Sequence, residues 1–168
     1  MKHEIYRLSS DEQQSYLDPL CRHFAIDPQV FAPYVLIRMA KRSLYLFPKD
    51  CPDWQPRGRM SIEGLGISFL RLHNMALAKP SFEACAWLLP HARAHVLQLD
   101  QASAQWVRQG AQVPLTPDLR AQLPDYRSLL LCHWQGISFG SLHWNGEQLQ
   151  SFFPKRYGHM EALWPGAE

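Results

Sequence analysis

The sequence predicts an α+β fold, with a helix and a β-hairpin leading into a small β-barrel that carries inserted helices. Three observations point to it. A capping signal followed by helical periodicity opens the chain. Strand-rich runs crowd residues 128–153, two of them joined by Asn145-Gly146. Between these regimes Pro48, Pro52, Pro56 and Gly58 break up regular structure. At 168 residues and 46% hydrophobic content, the chain has the length and apolar content for a packed core, which excludes a disordered protein.

Element by element, Ser9 with Glu12 three residues later forms a capping-box pattern, and Tyr16, Leu17, Leu20 and Phe24 recur at helical spacing. Asp27-Pro28 reads as a cap with proline in the first turn of a short helix. The runs 34–39 and 43–47 are β-rich and flank Lys41-Arg42, the pattern of a hairpin. The proline-rich stretch after Phe47 reads as an irregular connector. Gly64 to Leu70 reads as a strand. Pro80 to Leu89 fits a helix with an apolar stripe of Phe82, Ala86 and Leu89. Ala94 to Leu99 is a strand, and Asp100 caps a helix that stops at Gly110. Pro114, Pro117 and Pro124 mark a loop. The strands 128–134, 137–144 and 147–153 follow, the first pair turning at Gln135-Gly136 and the second at Asn145-Gly146. Closing this meander would bury both of its edges.

Lys and Arg number 17 against 15 Asp and Glu, a net charge of +2. From Arg38 to Lys79 there are eight basic and three acidic residues, so 8 − 3 = +5, either a basic face or solvated loop charge. Cys21, Cys51, Cys85 and Cys132 have no metal or redox spacing; Cys85 and Cys132 sit in apolar runs and read as buried, reduced thiols. His91 and His95 are four apart, but Pro90 breaks the helix they would share, so no metal site is expected. Cys132 and His133 are strand neighbours pointing to opposite faces, and no nucleophile elbow, paired carboxylates or phosphate loop is present. No catalytic residue and no cofactor are expected. No apolar run reaches the ~18 residues of a membrane helix, and no apolar signal core follows Met1, so the expected address is cytoplasmic, with no membrane partner.

What remains is cationic and aromatic. Arg108 lies at a helix end two residues before Gly110, Lys155-Arg156-Tyr157 follow the last strand, and Trp144 flanks the hairpin turn. Such groups neutralise phosphates and stack unpaired bases. Trp144, Phe152 and Phe153 equally suit core or edge packing.

The run from Gly64 to Tyr157 resembles the PUA-like RNA-binding domain at the C-terminus of bacterial rRNA cytosine-5 methyltransferases of the RsmF type, in the NOL/NOP/Sun group. The residues that carry the resemblance are Leu65-Gly66, Lys79-Pro80-Ser81, the run His95 to Asp100 and Val107-Arg108-Gln109-Gly110. The series continues with Leu129-Leu130-Leu131, Gly136, Gly140 and Phe153-Pro154-Lys155-Arg156. The order of elements is also similar to a small PUA-containing ribosome-biogenesis factor, in which a short α/β unit precedes the barrel. The resemblance implies a pre-PUA α/β subdomain over 1–58 and a PUA-like mixed β-barrel over 59–168. The catalytic half of the methyltransferases, with its cofactor motif and Pro-Cys or Thr-Cys nucleophile, is missing.

The function so implied is non-catalytic binding of RNA, with ribosomal RNA as partner, in ribosome biogenesis or RNA modification; DNA is not expected. Arg71, Lys79, Arg108, Lys155 and Arg156 would hold phosphates beside Gly110, and Tyr157 or Trp144 would stack a base. The alternative is a protein-interaction module docking on an RNA methyltransferase or ribosomal protein, with Trp164 in its apolar patch. A small hydrolase would need a pocket in which a histidine reaches a serine or cysteine.

Overall fold

The computed structural model describes residues 5–40, 42–51, 66–72, 78–110 and 112–155. The chain is a mixed α/β protein with two five-stranded sheets and four α-helices among these residues. Strand β1 (Tyr6–Arg7) leads into helix α1 (Ser10–Phe24), whose capping box is formed as expected. Ser9 Oγ accepts from the Glu12 amide at 3.3 Å, and Glu12 Oε2 accepts from the Ser9 amide at 2.8 Å. Asp27 caps a single 3₁₀ turn, Pro28–Phe31. Strands β2 (Tyr34–Ala40) and β3 (Ser43–Pro48) form the expected hairpin.

Strand β4 (Ile67–Arg71) pairs with β3, and β5 (Lys79–Pro80) pairs with β4, completing an antiparallel sheet in the order β1-β2-β3-β4-β5. This sheet therefore runs across the expected 58/59 boundary. Of the connector expected after Phe47, Pro48 instead ends β3 and 49–51 turn away from it, while Pro52, Pro56 and Gly58 lie outside the described residues, as do Gly64 and Leu65.

Helix α2 (Phe82–Leu88) is capped by Ser81, whose hydroxyl accepts from the Ala84 amide at 3.0 Å and donates to the Ser68 carbonyl. Its buried stripe is Ala84, Cys85 and Leu88, one step out of phase with the expected Phe82, Ala86 and Leu89. The reason is contact on two sides. Phe82 lies against Gly140, where an added Cβ would meet its ring at 2.9 Å, and the opposite flank packs on the first sheet.

Strand β6 (Val96–Gln98) starts later than expected because His95 takes φ 56°, outside the extended region. Asp100 caps α3 (Gln101–Arg108), and Gly110 follows at φ 69°. After β7 (Gln112–Val113), the proline-marked stretch is more regular than a loop: it holds α4 (Pro117–Gln122), where Thr116 caps and Pro117 takes the first-turn position that needs no N–H. Strands β8 (Ser128–Trp134), β9 (Ile137–Trp144) and β10 (Leu149–Ser151) complete a sheet in the order β6-β8-β9-β10-β7, in which only β6 and β8 are parallel. In the last hairpin Asn145 Oδ1 accepts from the amides of Glu147 and Gln148, so β10 begins two residues after the expected start.

No closed barrel forms among the described residues. The strand expected over 64–70 as part of the barrel forms over Ile67–Arg71 and joins the first sheet instead. The β6 edge is closed by a side chain: Gln122 Oε1 accepts from the Gln98 amide at 2.9 Å and its Nε2 donates to the Gln98 carbonyl at 3.3 Å. Two cores result. One joins α1, the first sheet and α2 through Leu20, Phe24, Leu36, Leu44, Phe69 and Cys85, and reaches Leu131 on β8. The other lies between the second sheet and α3, around Leu97, Val107, Leu142 and Trp144. Each fully buried Leu or Phe contributes roughly 1.5–3 kcal/mol. Helix α2 contacts both sheets and fixes how they meet.

Candidate functional site

The sheets approach each other where β5 ends and the chain leaves β10. Arg71 and Lys79 are direct cross-strand partners in the β4–β5 pair, so two cations share one end of the first sheet. Lys79 reaches across to the second, its Nζ lying 2.9 Å from the centroid of the Phe152 ring. A cation over an aromatic face is attracted by the ring quadrupole, by ~0.5–2 kcal/mol depending on desolvation.

Alternation separates the two phenylalanines after β10. Phe153 turns inward, edge-on to Phe82 at 5.2 Å and tilted against Phe139 at 6.1 Å. Phe152 turns outward, 36% exposed, with His143 of β9 at 6.4 Å. Two contacts hold this exit segment on its other side. Ser151 Oγ donates to the Val107 carbonyl at 2.7 Å, one residue before Arg108. At Gly110 a Cβ would stand 3.9 Å from the Phe153 carbonyl oxygen. The backbone of residues 151–153 thus runs between Lys79 and the end of α3. Lys155 is exposed, three residues beyond Phe152.

Electrostatics mark Lys79 as unusual. Partial burial pulls its ammonium down to about 8, with the charge of Arg71 acting in the same direction and nearby Cys85 opposing. An amine in this state still favours the cation at neutral pH and gains from an arriving anion. Cys85 and Cys132 are buried, as expected, and burial raises both thiols, Cys85 to about 12; neither is an activated nucleophile.

Of the expected site residues, Arg71 and Lys79 are therefore adjacent, and Gly110 and the backbone of Arg108 flank the same exit segment that leads to Lys155. Arg156 and Tyr157 lie outside the described residues. Trp144 does not fit the expected stacking role: it is 1% exposed, its Nε1–H donates to the Pro124 carbonyl at 2.9 Å, and the Arg120 guanidinium lies 4.8 Å from its ring. The aromatic rings grouped beside Lys79 are Phe152, which the sequence left between stacking and packing, and next to it His143, which the sequence did not single out. The signal for Phe152 was present in Phe152-Phe153, since adjacent residues leaving a strand point to opposite sides.

A second depression, a shallow groove of about 610 Å³, lies at the other end of α2, lined by Leu89, Pro90, Val96, His133 and Ser138. His133 and Ser138 face each other across β8 and β9. Each is engaged by backbone: His133 Nδ1 accepts from the Gly136 amide at 3.3 Å and Ser138 Oγ from the Gly140 amide at 3.2 Å. No hydrogen bond joins these two side chains into a nucleophile–base pair. Among the described residues no three His, Cys, Asp or Glu side chains gather as a metal would require, and no helix is long and apolar enough to cross a membrane. The chain matches no protein-family model, and no curated protein is significantly similar to it.

Proposed function

We propose that this chain is a non-catalytic RNA-binding module for ribosomal RNA, with the second sheet and α3 as its PUA-like half and the first sheet with α1 as the preceding α/β unit. Arg71, Lys79 and Lys155, extended by Arg108 and Arg156, contact phosphates, and Phe152 takes the stacking role expected of Trp144. The observation that carries this reading is the placement of Lys79 over Phe152 with Arg71 beside it. Cations from one sheet meet an outward ring from the other, the pairing of charge and π-face that single-stranded nucleic acid requires. Base stacking on such a ring contributes ~1–3 kcal/mol.

The test is fluorescence anisotropy with labelled rRNA fragments over a salt series. Binding should weaken with salt, and Lys79→Glu with Lys155→Glu should flatten the log–log slope by ~0.7–0.9 for each phosphate no longer neutralised. Lys49→Glu is the control, because Lys49 follows the opposite end of β3 from the Arg71 pairing, ~20 Å away at 3.3 Å per residue. No binding at low salt, or equal losses in both variants, overturns the assignment.

A further inference from the structure

The C-terminal end of α1 is fastened to the second sheet by two histidine rings. His95 stands before β6 at φ 56°, a left-handed conformation uncommon for a residue with a side chain. Its ring lies flat on that of His23, with centroids 4.2 Å apart and planes 5° from parallel. A carbonyl oxygen can only accept, which fixes both neutral rings. His95 Nδ1–H donates to the His23 carbonyl at 2.6 Å, leaving Nε2 to accept from the Tyr126 hydroxyl at 2.8 Å. His23 Nε2–H donates to the Leu129 carbonyl of β8 at 2.8 Å. The amides of Arg93 and Ala94 close the seam by donating to the Phe24 carbonyl at 2.9 and 3.1 Å.

Parallel imidazoles at this distance repel when both are charged, and burial disfavours a charge on His23. His23 is pulled below the ordinary histidine range, by burial first; positive charge on His95 acts in the same direction, and the Leu129 hydrogen bond opposes. The surrounding groups supply little compensation. The loop before β8 brings Tyr126, flanked by exposed Asp125 and by Arg127, whose Nε donates to the Asn145 carbonyl. The contact from β8 is an uncharged carbonyl. Arg22 on α1 and Arg93 before β6 are exposed and add only positive charge. Tyr126 is 59% exposed, so protons reach the cluster from bulk water.

We propose that His23, His95 and Tyr126 form an acid-sensitive clasp: neutral, it holds the end of α1 on the second sheet, and protonated, it lets that helix end detach. The sign follows from linkage. A histidine that is harder to protonate in the folded state than its free value of 6.5 stabilises the closed form above that pH, and the stabilisation drains away as pH falls below it. The clasp is independent of RNA binding.

Hydrogen exchange on the full chain at pH 7.5 and 5.5, corrected for intrinsic rates, tests it. Protection of the amides of residues 20–26 should fall by more than twofold and by up to about tenfold at the lower pH in the wild type, the most that one histidine with a free value of 6.5 can supply. The fall should be less than twofold in His23→Gln, whose amide can donate to Leu129 without titrating. His95→Asn, which tolerates positive φ, carries the same test if His23→Gln does not fold. Unchanged wild-type protection, or an equal fall in the variants, overturns the clasp. Ring ¹⁵N shifts at pH 7.5 give a second reading: the proton should sit on Nδ1 of His95 and Nε2 of His23, and the opposite tautomers overturn it.

Discussion

Raising the pH from 7 to 9 should weaken RNA binding about tenfold through Lys79. The free ammonium, with its value near 8, is about nine-tenths protonated at pH 7 and about one-tenth at pH 9. A phosphate seated on it favours the cation and returns the group toward its ordinary 10.5, so in the complex it stays charged at both pH values. The ratio of the two free-protein fractions is the expected loss, which corresponds to ~1.4 kcal/mol. Lys79→Arg supplies a charge that does not titrate in this range, so its affinity should be flat where the wild type falls. The measured quantity is the difference between the two proteins in anisotropy titrations at fixed salt, because base titration affects both alike. Identical pH profiles would refute the phosphate contact. Without RNA, side-chain NMR should place the Lys79 midpoint near 8, and a midpoint near 10.5 would show that burial does not perturb it.

Three further outcomes follow from packing and capping. Gly140→Ala should cost about 2–5 kcal/mol in urea unfolding, from a φ of 84° and a Cβ at 2.9 Å from a Phe82 ring that Phe153 keeps from retreating; a loss under ~1 kcal/mol contradicts the packing. Trp144→Phe strands the Pro124 carbonyl and should cost about 1–3 kcal/mol while leaving RNA affinity unchanged; a marked affinity loss in a folded variant would return the ring to the binding site. Asp100→Ala removes the bond accepted from the Ser103 amide at 2.6 Å, a loss of about 0.5–2 kcal/mol at neutral pH. These backbone and side-chain bonds hold the Asp100 carboxyl below its free 3.8, so the stabilisation is complete above that pH and is lost on acidification beneath it; Asp100→Asn should keep most of the cap and lose the pH dependence.

Local signals in the sequence were legible wherever neighbouring residues settle the geometry among themselves. The Ser9–Glu12 box, the Asp100 cap with its Gly110 stop, and the Asn145-Gly146 turn each close hydrogen bonds within a few residues, and each forms. Decisions made by partners distant in sequence were not legible. The phase of α2 depends on Gly140, 58 positions after Phe82, and a helix of seven residues has too few turns to show its own stripe. The two-residue strands β5 and β7 carry no periodicity; their partners create them. At the candidate site, Arg71 and Lys79 were identified singly as cations, but their pairing rests on the β4–β5 register. That Trp144 is buried while Phe152 is exposed has the same origin. Trp144 shares the core face of β9 with Leu142, while His143 between them takes the other side, beside Phe152.

Among the described strands, each outer strand of the two sheets is only two or three residues long. One of them, β5, consists of a lysine and a proline, and another, β6, has its outward amide and carbonyl at Gln98 occupied by an amide side chain that imitates a neighbouring strand. A foreign polypeptide seeking a ladder to extend finds little open backbone there. Along these described edges the molecule offers its own copies little backbone to zip onto, so concentrated or warmed solutions should resist fibrous association through them.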